Sequence, residues 1–340
     1  MKKDEFDKMF EMKNDHSEDD KIIKETRLGL RKNIYNRIVV VCVILGVLIT
    51  ATVFGYRSWK TNSNFNPLKE EVVIKNESYD IFQYVLTAYV ETTNSSGTYS
   101  FDYYDTKSIL RNGLTEYSIY GRYNSFGLNR ENNGIPTEIV IKDSKLISST
   151  FDLNEDEHDY ENKGEADVSW NYEKENYLET ISELPKTARY DYSIRFKKPI
   201  SYEQLSKLLL SRQSYSNNID YACMYASDGK TLGLNLARQN RAIWTRNGRM
   251  NTDYDSASEL KKYYKKQLEF LASQETVVKI LGSSEEYKLI QEQLKIVESG
   301  ESTILGIRVQ SDADTLLRYI NDRNTDAVYI KDVSLSYFDK

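Results

Sequence analysis

Histidine and cysteine are nearly missing from this chain of 340 residues, which has two of each: His16, His158, Cys42 and Cys223. Cys223 is the only cysteine after Cys42, so no disulfide can close within the larger part of the chain, and no zinc finger or C-x-x-C site can be assembled there. That part must stand on packing alone. A Ser/His/Asp or Cys/His relay there would have to use His158, which has neither a G-x-S-x-G elbow nor a reactive-cysteine setting beside it. The phosphate-cradling patterns G-x-x-x-x-G-K-[ST] and G-x-G-x-x-G are absent. Ser258 and Lys261 fit S-x-x-K, but no S-D-N or K-T-G partner accompanies them. Carboxylates are plentiful and no pair is singled out by its setting, so a glycosidase has no footing. A clustered basic face is also missing, so direct nucleic-acid contact is not expected. These absences favour binding or signalling over catalysis, with no cofactor and no metal.

What the chain does have is one long apolar run. Ile38–Tyr56 contains no charge in a protein that is otherwise 29% charged, and twelve of its nineteen residues are Leu, Ile, Val or Phe. As a helix rising about 1.5 Å per residue it spans roughly 28 Å, close to the hydrocarbon core of a bilayer. No small-residue cleavage pattern follows it, so it reads as a retained anchor rather than a signal peptide. Lys24, Arg27, Arg31, Lys32 and Arg37 precede the run, against Arg57, Lys60 and Lys69 after it. The positive-inside bias then places the N-terminus in the cytoplasm and the bulk of the chain outside, with Tyr56 and Trp59 as interfacial residues. The expected organisation is a cytoplasmic head (1–37), a transmembrane helix (38–56), a linker (57–75), an outer β-rich region (76–185) and a C-terminal α+β domain (186–340).

In the head, Phe6, Met9 and Phe10 fall at i, i+3, i+4 among charged residues, the spacing of one apolar helical stripe. A second helical pattern opens after Ser17, a candidate N-cap, and brings Ile23, Leu30 and Ile34 near one face. Residues 1–37 are too few for a core of their own. Two readings stay open: a tail that only sets topology, or a segment that folds into a groove of a cytosolic partner through Phe6, Met9, Phe10, Ile23 and Leu30.

In the outer part, Ser78–Thr92 reads as a helix passing into a strand, and Thr115–Tyr123 and Thr137–Ile141 read as strands. Asp152, Asn154 and Asp156 could start a calcium loop, but Glu157 and Lys163 stand where Gly and Glu are required, so the stretch is read as a solvated loop. From Tyr190 the pattern is clearer. Strand Tyr190–Phe196 leads to a capping box at Ser201 and Gln204 and a helix with Leu205, Leu208 and Leu209 inward. Ile219–Ala226 and Thr231–Leu236, joined at Asp228–Gly229, read as a hairpin. The phrase recurs at the end: strand Ser302–Gln310, a helix capped by Ser311 with Leu316, Leu317 and Ile320 inward, then strand Asp326–Leu335. Two charged amphipathic helices, roughly Ser256–Ala272 and Ser284–Val297, lie between the phrases. The fold class is α+β, and two β-α-β phrases on one antiparallel sheet would be ferredoxin-like with a helical insertion. The 27 tyrosines fit half-exposed sheet surfaces better than stacking platforms for sugars.

The head and anchor (Phe6 through Tyr56), the run VLTAYVETT…LTEYSIYGRYN, and IRFKKPISYEQLSKLLL with GIRVQSDADTLLRYIND…VYIKDVSL together resemble the sigma-factor regulator family of low-GC Gram-positive bacteria. The resemblance implies a membrane-anchored anti-sigma factor whose head holds an extracytoplasmic-function sigma factor while its outer part senses envelope state. It also implies contact with membrane lipid and leaves room for a second small membrane protein as partner. The H-x-x-x-C-x-x-C of zinc-type anti-sigma factors is absent, so any sigma contact would be metal-free. The alternative is an anchored module that binds an extracytoplasmic ligand or the cell wall.

Overall fold

A computed structural model describes residues 16–69, 71–74, 77–100, 108–126, 134–151, 153, 159–161, 166–210, 218–237, 242–245, 248–251 and 256–335. The chain forms two compact units, residues 1–63 and 64–340.

In the first unit, helix α1 runs unbroken over His16–Ser63. Ser17 therefore lies within the described helix rather than ahead of it. At about 1.5 Å per residue its length is roughly 72 Å, more than twice a bilayer core. Within the apolar run the side chains stand free, with Val47 62% and Ile49 63% exposed. This helix is long and apolar enough to cross a membrane. Its threonines satisfy their hydroxyls internally: Thr50 Oγ1 donates to the Gly46 carbonyl at 2.7 Å and Thr52 Oγ1 to Leu48 at 2.8 Å. Such back-bonds let Thr sit in an apolar environment without a stranded donor.

The second unit is α+β and holds two five-stranded antiparallel sheets and two short ribbons. One ribbon is β1 (Glu71–Ile74) with β2 (Glu77–Asp80), and it leads directly into α2 (Ile81–Thr93). The order is strand then helix, the reverse of the sequence expectation for Ser78–Thr92. All of α2 is buried, including a polar row of Gln83, Thr87 and Glu91 at i, i+4, i+8, so the helix lies at the centre of a core. Thr92 and Thr93 tolerate that position because their hydroxyls donate to Ala88 and Tyr89 carbonyls at 2.7 and 2.8 Å.

The first sheet comprises β3 (Gly97–Ser100), β4 (Ile109–Arg111), β5 (Glu116–Ser125), β6 (Ile135–Lys142) and β7 (Lys145–Ser149). Its inner side chains, Ile119, Ile139 and Ile141, are fully buried in one apolar cluster with α2.

After α3 (Ala166–Glu183) comes the second sheet, built from β8 (Ala188–Ile200), β9 (Asn218–Ser227), β10 (Lys230–Asn235), β13 (Ile304–Asp312) and β14 (Thr325–Leu335). Its order is β10-β9-β13-β8-β14. Helix α4 (Tyr202–Leu210) joins β8 to β9 across β13, and α8 (Ala313–Ile320) joins β13 to β14 across β8, so two β-α-β units interlock. The capping box forms: Gln204 N–H donates to Ser201 Oγ at 3.3 Å and Ser201 N–H to Gln204 Oε1 at 2.8 Å. The β9–β10 turn takes positive φ at both Asp228 (52°) and Gly229 (74°), as a two-residue hairpin needs. For α8 the cap is Asp312, accepting from Thr315 N–H at 2.8 Å, because Ser311 stays in β13 with its hydroxyl 2.7 Å from Tyr192 Oη.

Between β10 and β13 in sequence come the ribbon β11 (Ala242–Thr245) with β12 (Gly248–Asn251) and the helices α5 (Ala257–Ala272), α6 (Glu275–Leu281) and α7 (Ser284–Ser299). Ser256 caps α5 and Ser283 caps α7, each accepting a backbone N–H three residues on. Short α6 carries no amphipathic repeat long enough to read from sequence.

Tyrosine usage also departs from expectation. Tyr89, Tyr99, Tyr117, Tyr160, Tyr190, Tyr192, Tyr221 and Tyr264 are among the largest fully buried side chains rather than half-exposed sheet residues. Many hydroxyls meet acceptors: Tyr221 donates to the Thr92 carbonyl at 2.8 Å, Tyr287 to Ala272 at 2.9 Å, and Tyr89 to Glu286 Oε2 at 2.9 Å. Buried tyrosine is stable when its ring is packed and its hydroxyl bonded.

Candidate functional site

Of the five head residues singled out from sequence, Phe6, Met9 and Phe10 lie outside the described residues. Ile23 and Leu30 sit on α1 about two turns apart, on one stripe, and are 48% and 56% exposed; Ile34, on the same stripe, is 53% exposed. Arg27 lies on the same face between Ile23 and Leu30, and Lys24 and Arg31 lie to one side of it. An exposed apolar row beside a basic one is a surface that a folded partner can cover.

In the second unit, a polar seam lies buried on the second sheet. Arg308 (β13) and Asp191 (β8) close a two-pronged ion pair, Nε–Oδ1 3.1 Å and Nη2–Oδ2 2.8 Å, with side chains 6% and 1% exposed. Arg308 Nη1 also donates to the Ser95 carbonyl at 3.3 Å and Ser96 Oγ at 2.6 Å, which clamps the end of α2 onto the sheet. Arg195 donates through Nε to Asp326 Oδ2 at 2.7 Å and through Nη1 to the Glu161 carbonyl. Gln310 Nε2 reaches Asp220 Oδ2 at 2.6 Å. Gly306 keeps room for the Tyr160 ring, which a Cβ there would meet at 2.5 Å. Each charged side chain in this seam has at least one partner within the protein, which makes the seam a structural clamp; among the described residues, Arg195 Nη2 alone of its guanidinium nitrogens is left without one. From sequence Arg195 and Arg308 are simply residues within the strands Tyr190–Phe196 and Ser302–Gln310. The missed signal was a charge in the middle of an apolar central strand, which demands a buried partner.

A crevice of about 440 Å³ opens where the second unit begins. One wall is the strap Asn64–Lys69, the floor is the first turn of α2, and the other wall is the junction of α5 with α6. The stretch expected to be a linker is ordered here: α1 continues to Ser63, and beyond it Phe65 packs on Phe82 with ring centroids 5.8 Å apart. Phe65 N–H donates to Ser144 Oγ at 2.8 Å, and that hydroxyl donates on to Asn64 Oδ1 at 3.2 Å. Ser144 can do so because the β6–β7 turn holds it at φ 62°.

Among the described residues, no group of three or more His, Cys, Asp or Glu side chains is placed to hold a metal. Asp152, Asn154, Asp156, Glu157, His158 and Lys163 fall outside the described residues. Ser258 Oγ lies 3.1 Å from Ser256 Oγ at the start of α5. Burial raises the Tyr202 phenol to about 12, against a hydrogen bond with Ser302 that lowers it, and burial also holds the Tyr221 and Tyr264 phenols well above the usual range.

Comparison of the chain with protein-family models, with curated proteins and with solved structures finds no match.

Proposed function

We propose that this chain is a single-pass, membrane-anchored anti-sigma factor. Its cytoplasmic head holds an extracytoplasmic-function sigma factor away from RNA polymerase, and its outer unit senses envelope state. The reading makes it a binding and signalling protein rather than an enzyme. The observation that carries it is α1: one unbroken helix leads from an exposed Ile23–Leu30–Ile34 stripe, through an apolar run of membrane length, to the residue before the outer unit. Such a helix leaves an apolar surface on the basic, cytoplasmic side that only a partner can cover. The outer unit then supplies the sensor, with its second sheet ferredoxin-like and the β10–α7 segment inserted between the second and third strands. Membrane lipid surrounds the anchor, and a second small membrane protein is a further partner on this reading.

Deleting the protein should raise transcription from one sigma-dependent set of promoters, and re-expressing the full chain should restore repression. Unchanged transcription would rule the proposal out. A second reading, an anchored module that binds the cell wall or another extracytoplasmic ligand, is favoured by the crevice beside the strap. Under that reading, deletion of residues 1–30 leaves the phenotype intact.

A further inference from the structure

We infer that α1 carries, just before its apolar run, a collar of three cations that binds the headgroups of anionic phospholipids. The collar is Arg31, Lys32 and Arg37, all exposed on the unbroken helix. It rests on the anchored reading above, in which Ile38–Tyr56 spans the bilayer, and needs no part of the anti-sigma reading.

Depth is the first observation. At about 1.5 Å per residue, Arg37, Lys32 and Arg31 lie roughly 1.5, 9 and 10.5 Å before Ile38 along the axis. A headgroup layer about 6 Å thick and a Debye length of about 8 Å together reach roughly 14 Å beyond the hydrocarbon. All three cations start within that reach. Helical side chains lean toward the N-terminus, so Arg37, nearest the hydrocarbon, carries its guanidinium out into the headgroup layer.

Direction is the second. Successive residues turn by about 100°, so with Arg31 at zero, Lys32 points to about 100° and Arg37 to about 240°. Three cations therefore face three sides of the helix. Ile23, Leu30 and Ile34 by contrast fall within about 40° of one another. A folded protein covers one face of a helix, whereas a lipid leaflet surrounds it. The apolar stripe suits the first kind of partner and the collar the second. Beyond the run, Arg57 and Lys60 lie about 60° apart, on one side, and make no collar.

The third observation is that the charge is uncompensated. No Asp or Glu occurs between Glu25 and Glu70, and among the described residues no ion pair engages Arg31, Lys32 or Arg37. Tyr35, 67% exposed, stands among them at the depth where interfacial aromatics settle. Each such cation strengthens attraction to an anionic surface about fivefold.

The test is spin-label electron paramagnetic resonance on the full chain, reconstituted in vesicles of mixed phosphatidylcholine and phosphatidylglycerol. Both leaflets then have one composition, so the direction of insertion does not matter. Spin-labelled phosphatidylglycerol should associate with the protein about fivefold or more over spin-labelled phosphatidylcholine at about 0.1 M salt, and the preference should fade at about 1 M, where the Debye length is about 3 Å. Arg31→Gln/Lys32→Gln should lower the preference at least about twofold, whereas Arg31→Lys and Arg57→Gln/Lys60→Gln should keep it. Equal association of the two lipids overturns the collar, as does a preference that the Arg31/Lys32 variant leaves unchanged. If that variant keeps its lipid preference but loses an acidic protein on co-purification, the cations serve that protein and the collar is again overturned. An alkaline carbonate wash of the parent vesicles separates the two readings: release of the protein removes the anchor and the collar together, whereas retention without lipid preference removes the collar alone.

Discussion

Arg308 on β13 and Asp191 on β8 form a buried two-pronged ion pair, and the same guanidinium holds Ser95 and Ser96 at the end of the central helix α2. The pair therefore joins the C-terminal sheet to an element from the other half of the second unit. Removing one partner leaves the other charged and dry. Asp191→Leu or Arg308→Met alone should cost about 3–5 kcal/mol, read by urea unfolding of the outer unit. The double variant should cost clearly less than the sum, because only the Ser95 carbonyl and Ser96 hydroxyl stay unmet. Simple additivity would show that the pair contributes as two independent residues.

Tyr89 and Glu286 make a second long-range contact, between α2 and α7, with both side chains buried. Tyr89→Phe keeps the ring and strands the carboxylate, so a loss of about 1–3 kcal/mol is expected in the same unfolding measurement. A variant as stable as the parent would mean that the Glu286 carboxylate finds another donor.

The capping box gives a smaller, local prediction. Ser201→Ala removes one acceptor from the α4 N-terminus and should cost about 1 kcal/mol, with Ser201→Asp nearly neutral. Equal losses in both variants would place the effect in packing instead.

Alkaline pH should unfold the second unit. The phenols of Tyr202, Tyr221 and Tyr264 have folded-state pKa values raised by burial, Tyr202 to about 12, against roughly 10 in the unfolded chain. The folded state thus holds these protons more tightly, its advantage is complete below about pH 10, and stability falls as pH rises from there through the folded-state values. Tyrosinate absorbance should rise together with loss of helical circular dichroism. Early ionisation without unfolding would contradict the burial of these rings.

The second sheet was largely legible in the sequence because its signals are local: a capping box, an Asp-Gly turn, and apolar strands at regular spacing. Helix α2 was misread in its order with the strand because its one polar row, Gln83, Thr87 and Glu91, is buried with the rest, so the helix lacks the solvated polar face that marks an amphipathic helix in sequence. The cap of α8 shifted by one residue because Ser311 bonds Tyr192, a partner distant in sequence. The clamp and the crevice are made by residues far apart in the chain, so no local pattern announced them. The strap looked like a linker from its Asn and Ser content, and only Phe65 hinted that it packs.

The central claim is that the Ile23–Leu30 stripe on α1 holds a sigma factor, and co-purification of the full chain from its own cells tests it most directly. The parent protein should bring down one extracytoplasmic-function sigma factor, and an Ile23→Asp/Leu30→Asp variant, inserted to the same level, should lose it by tenfold or more, about 1.4 kcal/mol at the least. A parent that recovers no sigma factor, or a double variant that recovers as much as the parent, would contradict the account.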